Sequence, residues 1–187
     1  MKLIILISSF LLMFNLDSRV NTSKVKITSN SQLVIKGSSN VNSFACIYKQ
    51  NLKNDEFLVN YVKESSKIHF QGAKMVLKSD CFDCRHKTIN KDFKELLKSD
   101  VFPNIQISLK EITETKQYVL AKVQIEIAGV TKDYVFPVSV IENESKVRGT
   151  ARLSIKDFNL TPPKKLFGMI MVNDLVEIDF NLHLNYE

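Results

Sequence analysis

From Val25 to the C-terminus, apolar and polar residues alternate along most of the chain. Val119, Ala121, Val123, Ile125 and Ile127 fall on one side of an extended segment, with Lys122, Gln124 and Glu126 on the other. Val147, Gly149, Ala151, Leu153 and Ile155 alternate with Lys146, Arg148, Thr150, Arg152 and Ser154. Val176, Ile178, Phe180, Leu182 and Leu184 alternate with Glu177, Asp179, Asn181 and His183. A period of two over so many residues predicts strands with one apolar face. Shorter or weaker alternation marks further strands at Gln32–Lys36, Ser43–Gln50, Glu56–Lys63, Lys67–Phe70, Met75–Lys78, Ile105–Glu111 and Lys132–Ile141. Ala128-Gly129-Val130 and Glu142–Ser145 are short links, so the long segments they join are antiparallel neighbours. Tyr118–Ile127, Lys132–Ile141 and Lys146–Ile155 therefore read as a meander.

One segment breaks the period. Phe93, Leu96 and Leu97 share a helical face. Asn90 or Asp92 is placed to cap the helix, with Glu95 three residues past Asp92 as in a capping box. Ser99-Asp100 and Pro103 end it. The segment from Asp157 to Gly168, with two prolines, links the last strands. The sum is an all-β chain with one or two short helices, in a sandwich or a closed barrel. Strands of about ten residues favour the barrel, and about eight strands would close one.

The first residues follow another rule. Lys2 precedes an apolar run from Leu3 to Leu16, broken only by Ser8, Ser9 and Asn15, and Asp17, Ser18 and Arg19 end it. This run is shorter than the roughly 20 residues of a membrane span. It has the charge and length of a secretory signal. Residues 1–18 are thus expected to be a signal peptide, although no Ala-x-Ala marks its cleavage site, and 19–187 a single domain. The chain is expected to be exported, to the periplasm or beyond the cell. No cysteine follows the run to carry a lipid anchor.

Export changes how the three cysteines read, because thiols pair outside the cytoplasm. Cys46 with Cys84 is the preferred disulfide, leaving Cys81 free or exchanging with Cys84. Two other chemistries compete at Cys81-Phe82-Asp83-Cys84-Arg85-His86. One is a thiol redox site at Cys81 and Cys84. The other is zinc held by Cys46, Cys81, Cys84 and His86.

Composition adds exclusions. Of 187 residues, 44% are hydrophobic and 25% charged, which excludes a disordered tail and a multi-span membrane protein. The net charge of +6 is spread over lysine stretches interrupted by Asp92, Glu95, Glu111 and Glu114, which is a solvated face rather than a nucleic-acid reader. His69 and His183 fall on polar strand faces. No phosphate-cradling loop, His-Glu-x-x-His or Gly-x-Ser-x-Gly is present. No enzyme activity and no cofactor are expected. Phe136, Phe158, Phe167 and Phe180, with Met169 and Met171, gather in the C-terminal third. They are either core or the lining of an apolar cavity.

Four segments, in order, resemble the YceI-like, polyisoprenoid-binding family in its exported bacterial form. They are Ile35–Cys46, Cys81–Asp92 running on to Phe102-Pro103-Asn104-Ile105, Ile125–Lys132, and Gly149–Leu153 with Asp157-Phe158, Pro162-Pro163, Gly168 and Val176–Leu184. The resemblance spans about Leu33 to Leu184. It departs in lacking a tryptophan early in the first strand and in carrying Cys46 and Cys81. It implies a lipocalin-like antiparallel β-barrel of about eight strands with a helical insertion. It also implies an apolar cavity for an isoprenoid-like lipid or other amphiphile, such as a quinone or polyprenyl tail, held without catalysis. The family has no fixed lining signature. The candidate lining therefore comes from the apolar faces: Val123, Ile125, Phe136, Val138, Leu153, Phe158, Phe167, Met169, Met171, Phe180 and Leu182. The competing expectation is a barrel filled by its own side chains, with no ligand.

Overall fold

The computed structural model of the protein describes residues 19–50, 52, 57–141, 143 and 145–186. The expected signal peptide, 1–18, lies outside the described residues. Strands β1 (Asn21–Ile27), β2 (Gln32–Ser38), β3 (Ser43–Tyr48), β4 (Phe57–Glu64), β5 (Lys67–Gln71), β6 (Lys74–Lys78) and β7 (Phe82–Asp83) precede helix α1 (Lys87–Leu96). Strands β8 (Asn104–Glu114), β9 (Val119–Ile127), β10 (Val130–Ile141), β11 (Lys146–Ser154), β12 (Lys164–Lys165), β13 (Ile170–Met171) and β14 (Leu175–Tyr186) follow it.

The sheet closes on itself. Antiparallel pairings run β1-β4-β5-β8-β9-β10-β11-β14, and β14 pairs with β1 to complete a ring of eight strands. The chain is thus a lipocalin-like antiparallel barrel. The expected meander is present as β9, β10 and β11, with Val138 opposite Val119 and then opposite Gly149.

Two strands of the ring change partner along their length. One edge of β14 pairs first with β2, at Glu177–Asn181, and then with β1, at Leu184–Tyr186. The turn between β1 and β2 grips the His183 backbone, whose N–H donates to Ser31 Oγ at 2.9 Å and whose carbonyl accepts from the Thr28 N–H at 2.9 Å. Strand β8 likewise pairs with β6 at Asn104–Ser108 and with β5 at Glu111–Thr113. Gly72 makes the break between β5 and β6. Its φ of +83° suits glycine, and a Cβ there would stand 2.9 Å from the Leu58 carbonyl oxygen.

Strand β8 also carries a bulge. Its register against β9 shifts between Leu109 and Glu111. Lys110 is the extra residue, so the inward positions pass from odd numbers (Ile105, Ile107, Leu109) to an even one (Ile112). An extra residue flips the face of everything after it. This is why alternation in this stretch is weak as sequence.

The helix begins earlier than its expected caps. It starts at Lys87, after His86, and no side chain caps it. Asn90 instead accepts the Cys84 N–H at 2.6 Å and donates to Asp83 at 3.1 Å, while Asp92 accepts from Lys165 at 2.7 Å. Both are spent on tertiary contacts rather than on the helix end. The Arg85 N–H and the Asn90 amide hold the Asp83 carboxyl below the usual carboxylate range. Strand β1 also begins at Asn21, ahead of the first alternating residue, because it pairs with β4 from Asn21 opposite Tyr61. The long Asp157–Gly168 link is not plain loop. A 3-10 turn at Ile155–Phe158 leads into it, and it holds the strand β12, which pairs with β13.

Helix α1 lays Ile89, Phe93 and Leu96 against the buried core. Cys46, Leu77, Phe82, Leu97, Ile105, Leu153, Ile155, Phe158 and Leu160 are buried together. Cys46 and Cys84 are joined as a disulfide across β3 and the end of β7, where Ile47 lies opposite Asp83. Tyr134 donates to Asp157 at 2.8 Å and stacks on Phe158, which pins the 3-10 turn to β10.

The disulfide closes a loop with a sequence separation of 38 residues. The chain-entropy relation gives such a cross-link about 4 kcal/mol. The double variant Cys46→Ser/Cys84→Ser is expected to lose roughly 2–4 kcal/mol, read as a lower urea midpoint. Burial and the Asp157 carboxylate raise the Tyr134 pKa above the ordinary tyrosine range. The folded state therefore holds this proton more tightly than the unfolded chain. The stability it contributes is complete below about pH 10 and is lost as the pH rises beyond that. Tyr134→Phe is expected to flatten that alkaline decline in a thermal-melt series.

Candidate functional site: the barrel cavity

The ring encloses a cavity of about 300 Å³. Its wall is built strand by strand from the inward positions of the alternating pattern. They include Val25 and Ile27 of β1, Phe57 and Val59 of β4, Phe70 of β5 and Met75 of β6. The rest include Ile107, Leu109 and Ile112 of β8, Ala121, Val123 and Ile125 of β9, and Phe136 and Val138 of β10. Val147 and Ala151 of β11 and Ile178, Phe180, Leu182 and Leu184 of β14 complete the ring. Among the described residues the wall is apolar: Lys74 borders it beside inward Met75, with its own side chain exposed to solvent.

Residue size shapes this space. Gly149 of β11 faces Phe180 of β14, and a Cβ at Gly149 would meet the Phe180 ring at 2.7 Å. The missing side chain lets that ring lie flat along the wall. Phe180 then meets Phe136 edge to face at 5.8 Å between ring centres, a favourable aromatic geometry. Ala121 and Ala151, both small and buried, leave the width between these rings and the opposite wall.

Many inward apolar positions are only half-buried, among them Phe70, Ile107, Phe136, Ile178, Phe180 and Leu182. They point away from solvent, yet neighbouring side chains do not cover them. A self-filled barrel would bury them, as the residues beside α1 are buried.

The sequence-derived lining divides into three groups. Val123, Ile125, Phe136, Val138, Phe180 and Leu182 face the cavity. Leu153 and Phe158 lie instead in the packed core, at 3% and 1% exposure, which corrects the expectation that they line it. Phe167, Met169 and Met171 are corrected further: they stand exposed on the surface, on the β12–β13 hairpin. All three are apolar, but a short hairpin outside the ring carries them. The lining from β1, β4, β5, β6 and β8 was missed. Those strands are short, kinked at Gly72 or re-phased at Lys110, so their alternation was the weakest signal.

The cysteines are placed equally clearly. With Cys84 taken up by Cys46, the Cys81–Cys84 thiol pair needed for the redox or zinc reading is not available. The free Cys81 thiol lies 3.4 Å from both the Gln50 and Asp80 side-chain oxygens. Burial, then Asp80, pushes its pKa up, the opposite of an activated thiolate. His69 lies 3.3 Å from Glu111 on the barrel exterior, and His183 is half-buried.

A closed antiparallel barrel around an apolar cavity is the architecture of proteins that hold one small ligand. A profile of the YceI-like domain matches residues 19–184, and the chain belongs to that family. Among solved structures it is similar to Burkholderia cenocepacia BcnA, with 17% identity and a TM-score of 0.63 over 83% of this chain and 96% of that one. It is also similar to a polyisoprenoid binding domain from Saccharophagus degradans implicated in plant cell wall breakdown. That match has 10% identity and a TM-score of 0.52 over 87% of this chain and 97% of that one. At these identities the likeness is one of fold. A comparison with curated proteins finds no match.

The cavity's volume is open to a steric test. Phenylalanine at Ala121 or Ala151 would project into it. Overpacking a filled core costs about 1–3 kcal/mol, whereas a side chain entering free volume is expected to cost less than that lower figure. Uptake of a neutral apolar probe such as N-phenyl-1-naphthylamine is expected to fall at least tenfold in Ala121→Phe. In Val135→Phe, on the outer face of β10, uptake should be unchanged.

Proposed function

We propose that this protein is an exported carrier that holds the apolar tail of an isoprenoid-like lipid inside its barrel, without catalysis. The observation that carries this reading is the cavity of about 300 Å³ ringed by apolar side chains from the strands of the barrel. That volume is at the lower end of the range for small-molecule sites. It is about ten times the share of one water molecule in the liquid, so it is more than a packing defect. Family membership supports the reading, and so does the likeness in fold to the Saccharophagus degradans polyisoprenoid binding domain.

The physical balance favours a branched hydrocarbon. Each CH₂-sized group moved from water into such a wall contributes about 0.8 kcal/mol, and the cost of ordering the tail and withdrawing it from a membrane opposes this. Export is supported by the Lys2 and Leu3–Leu16 leader pattern and by the Cys46–Cys84 disulfide, a bond of oxidising compartments.

The test is native mass spectrometry of delipidated protein incubated with a polyprenol, a quinone and a fatty acid. A one-to-one complex with a prenyl ligand is expected, and Ala121→Phe should abolish it. A protein that takes up none of the three, while keeping its thermal transition, would overturn the carrier reading in favour of a structural barrel.

A further inference from the structure

The β12–β13 hairpin lies outside the cavity and presents what a soluble surface normally hides. Phe167 at its tip has a relative exposure of 108%, Met169 67% and Leu166 60%. Leu166, Phe167 and Gly168 have successive φ values of 50°, 56° and 93°. Left-handed backbone is uncommon for a bulky residue such as phenylalanine, and here it carries the ring outward. Neighbouring contacts hold the hairpin in this form. Asn40, in the β2–β3 turn, donates to the Met169 carbonyl at 2.8 Å and accepts from the Met171 N–H at 2.9 Å. The apolar tip is therefore fixed in place rather than loosely displayed.

Basic residues lie in the hairpin and on the helix it touches. Lys164 and Lys165 open the hairpin, and Lys165 binds Asp92 of α1 at 2.7 Å, which ties hairpin to helix. Lys87, Lys91, Lys94 and Lys98 line one shallow groove along α1 together with Glu95 and Asp100, so the groove keeps a positive balance although Lys91 lies 3.6 Å from Glu95. Because strands alternate in direction, the hairpin between β11 and β14 lies at the same end as the Ala128-Gly129 turn. Tyr118, before β9, lies at the opposite end. One end of the barrel thus joins an exposed aromatic and sulfur-bearing tip to a cluster of lysines.

We infer that this end docks on an anionic lipid bilayer, with Phe167 and Met169 entering the interface and the lysines of α1 and β12 facing the headgroups. Aromatic and apolar side chains beside basic ones are the composition of interfacial anchors. Lysines near the surface add attraction that depends on acidic lipid and weakens with salt. A second copy of this chain is disfavoured as the occupant, because like charge would face like charge. This docking stands independently of what the cavity holds.

The chain has no tryptophan, so Phe167→Trp makes a single-tryptophan reporter at the tip. Tyr118→Trp is the matching reporter at the far end. Vesicles containing phosphatidylglycerol are expected to shift the Phe167→Trp emission to the blue and to quench it through brominated acyl chains. Tyr118→Trp should show neither change. Lys94→Glu/Lys98→Glu/Lys164→Glu in the reporter background is expected to raise the lipid concentration at half-change at least tenfold, as should a rise in salt. Unchanged emission from a folded Phe167→Trp protein would overturn the inference. So would equal response from both reporters, equal binding to purely zwitterionic vesicles, or a blue shift that follows protein concentration without any lipid.

Discussion

The closing contact between β1 and β14 is what the rest of the molecule depends on. Three residue pairs, Val25–Tyr186, Lys26–Asn185 and Ile27–Leu184, turn a sheet into a ring. An open sheet would leave two edges of unpaired backbone groups and would need a second layer to cover its apolar face. Once closed, the sheet is its own second layer. Each inward side chain faces others across the axis, and the cavity is the space that eight strands enclose beyond the reach of those side chains.

That geometry explains the irregularities in the wall. A barrel must bend, and the bends fall at Gly72, at the Lys110 bulge and at the Thr28–Ser31 turn gripping His183. Each lets a strand of the ring exchange one partner for another or re-phase its faces. The small residues Gly149, Ala121 and Ala151 then decide how wide the interior remains beside the rings of Phe136 and Phe180.

The two halves of the barrel serve different ends. Around the disulfide and α1, the buried cluster of Leu77, Phe82, Leu97 and Phe158 fills the space with protein. Farther along the axis, inward apolar residues stay half-covered and form the cavity. The packed end gives rigidity to the end from which the β12–β13 hairpin projects.

Much of this was legible in the chain itself. Period-two alternation located β9, β10, β11 and β14 and identified their inward residues, because a strand buried on one side must alternate whatever its partners are. Val123, Ile125, Phe136, Val138, Phe180 and Leu182 fall on the cavity wall for that reason. Their counterparts on β1, β4, β5 and β8 were hidden, since a bulge or a glycine bend changes phase without changing composition. Apolar character also could not separate Phe180 on the wall from Phe158 in the core or Phe167 at the surface. All three are phenylalanines of the C-terminal third, Phe180 in mid-strand and Phe158 and Phe167 in turns. Only ring closure, which sets the distance across the axis, and the hydrogen bonds of Asn40, which hold the hairpin outside the ring, decide where each one lies.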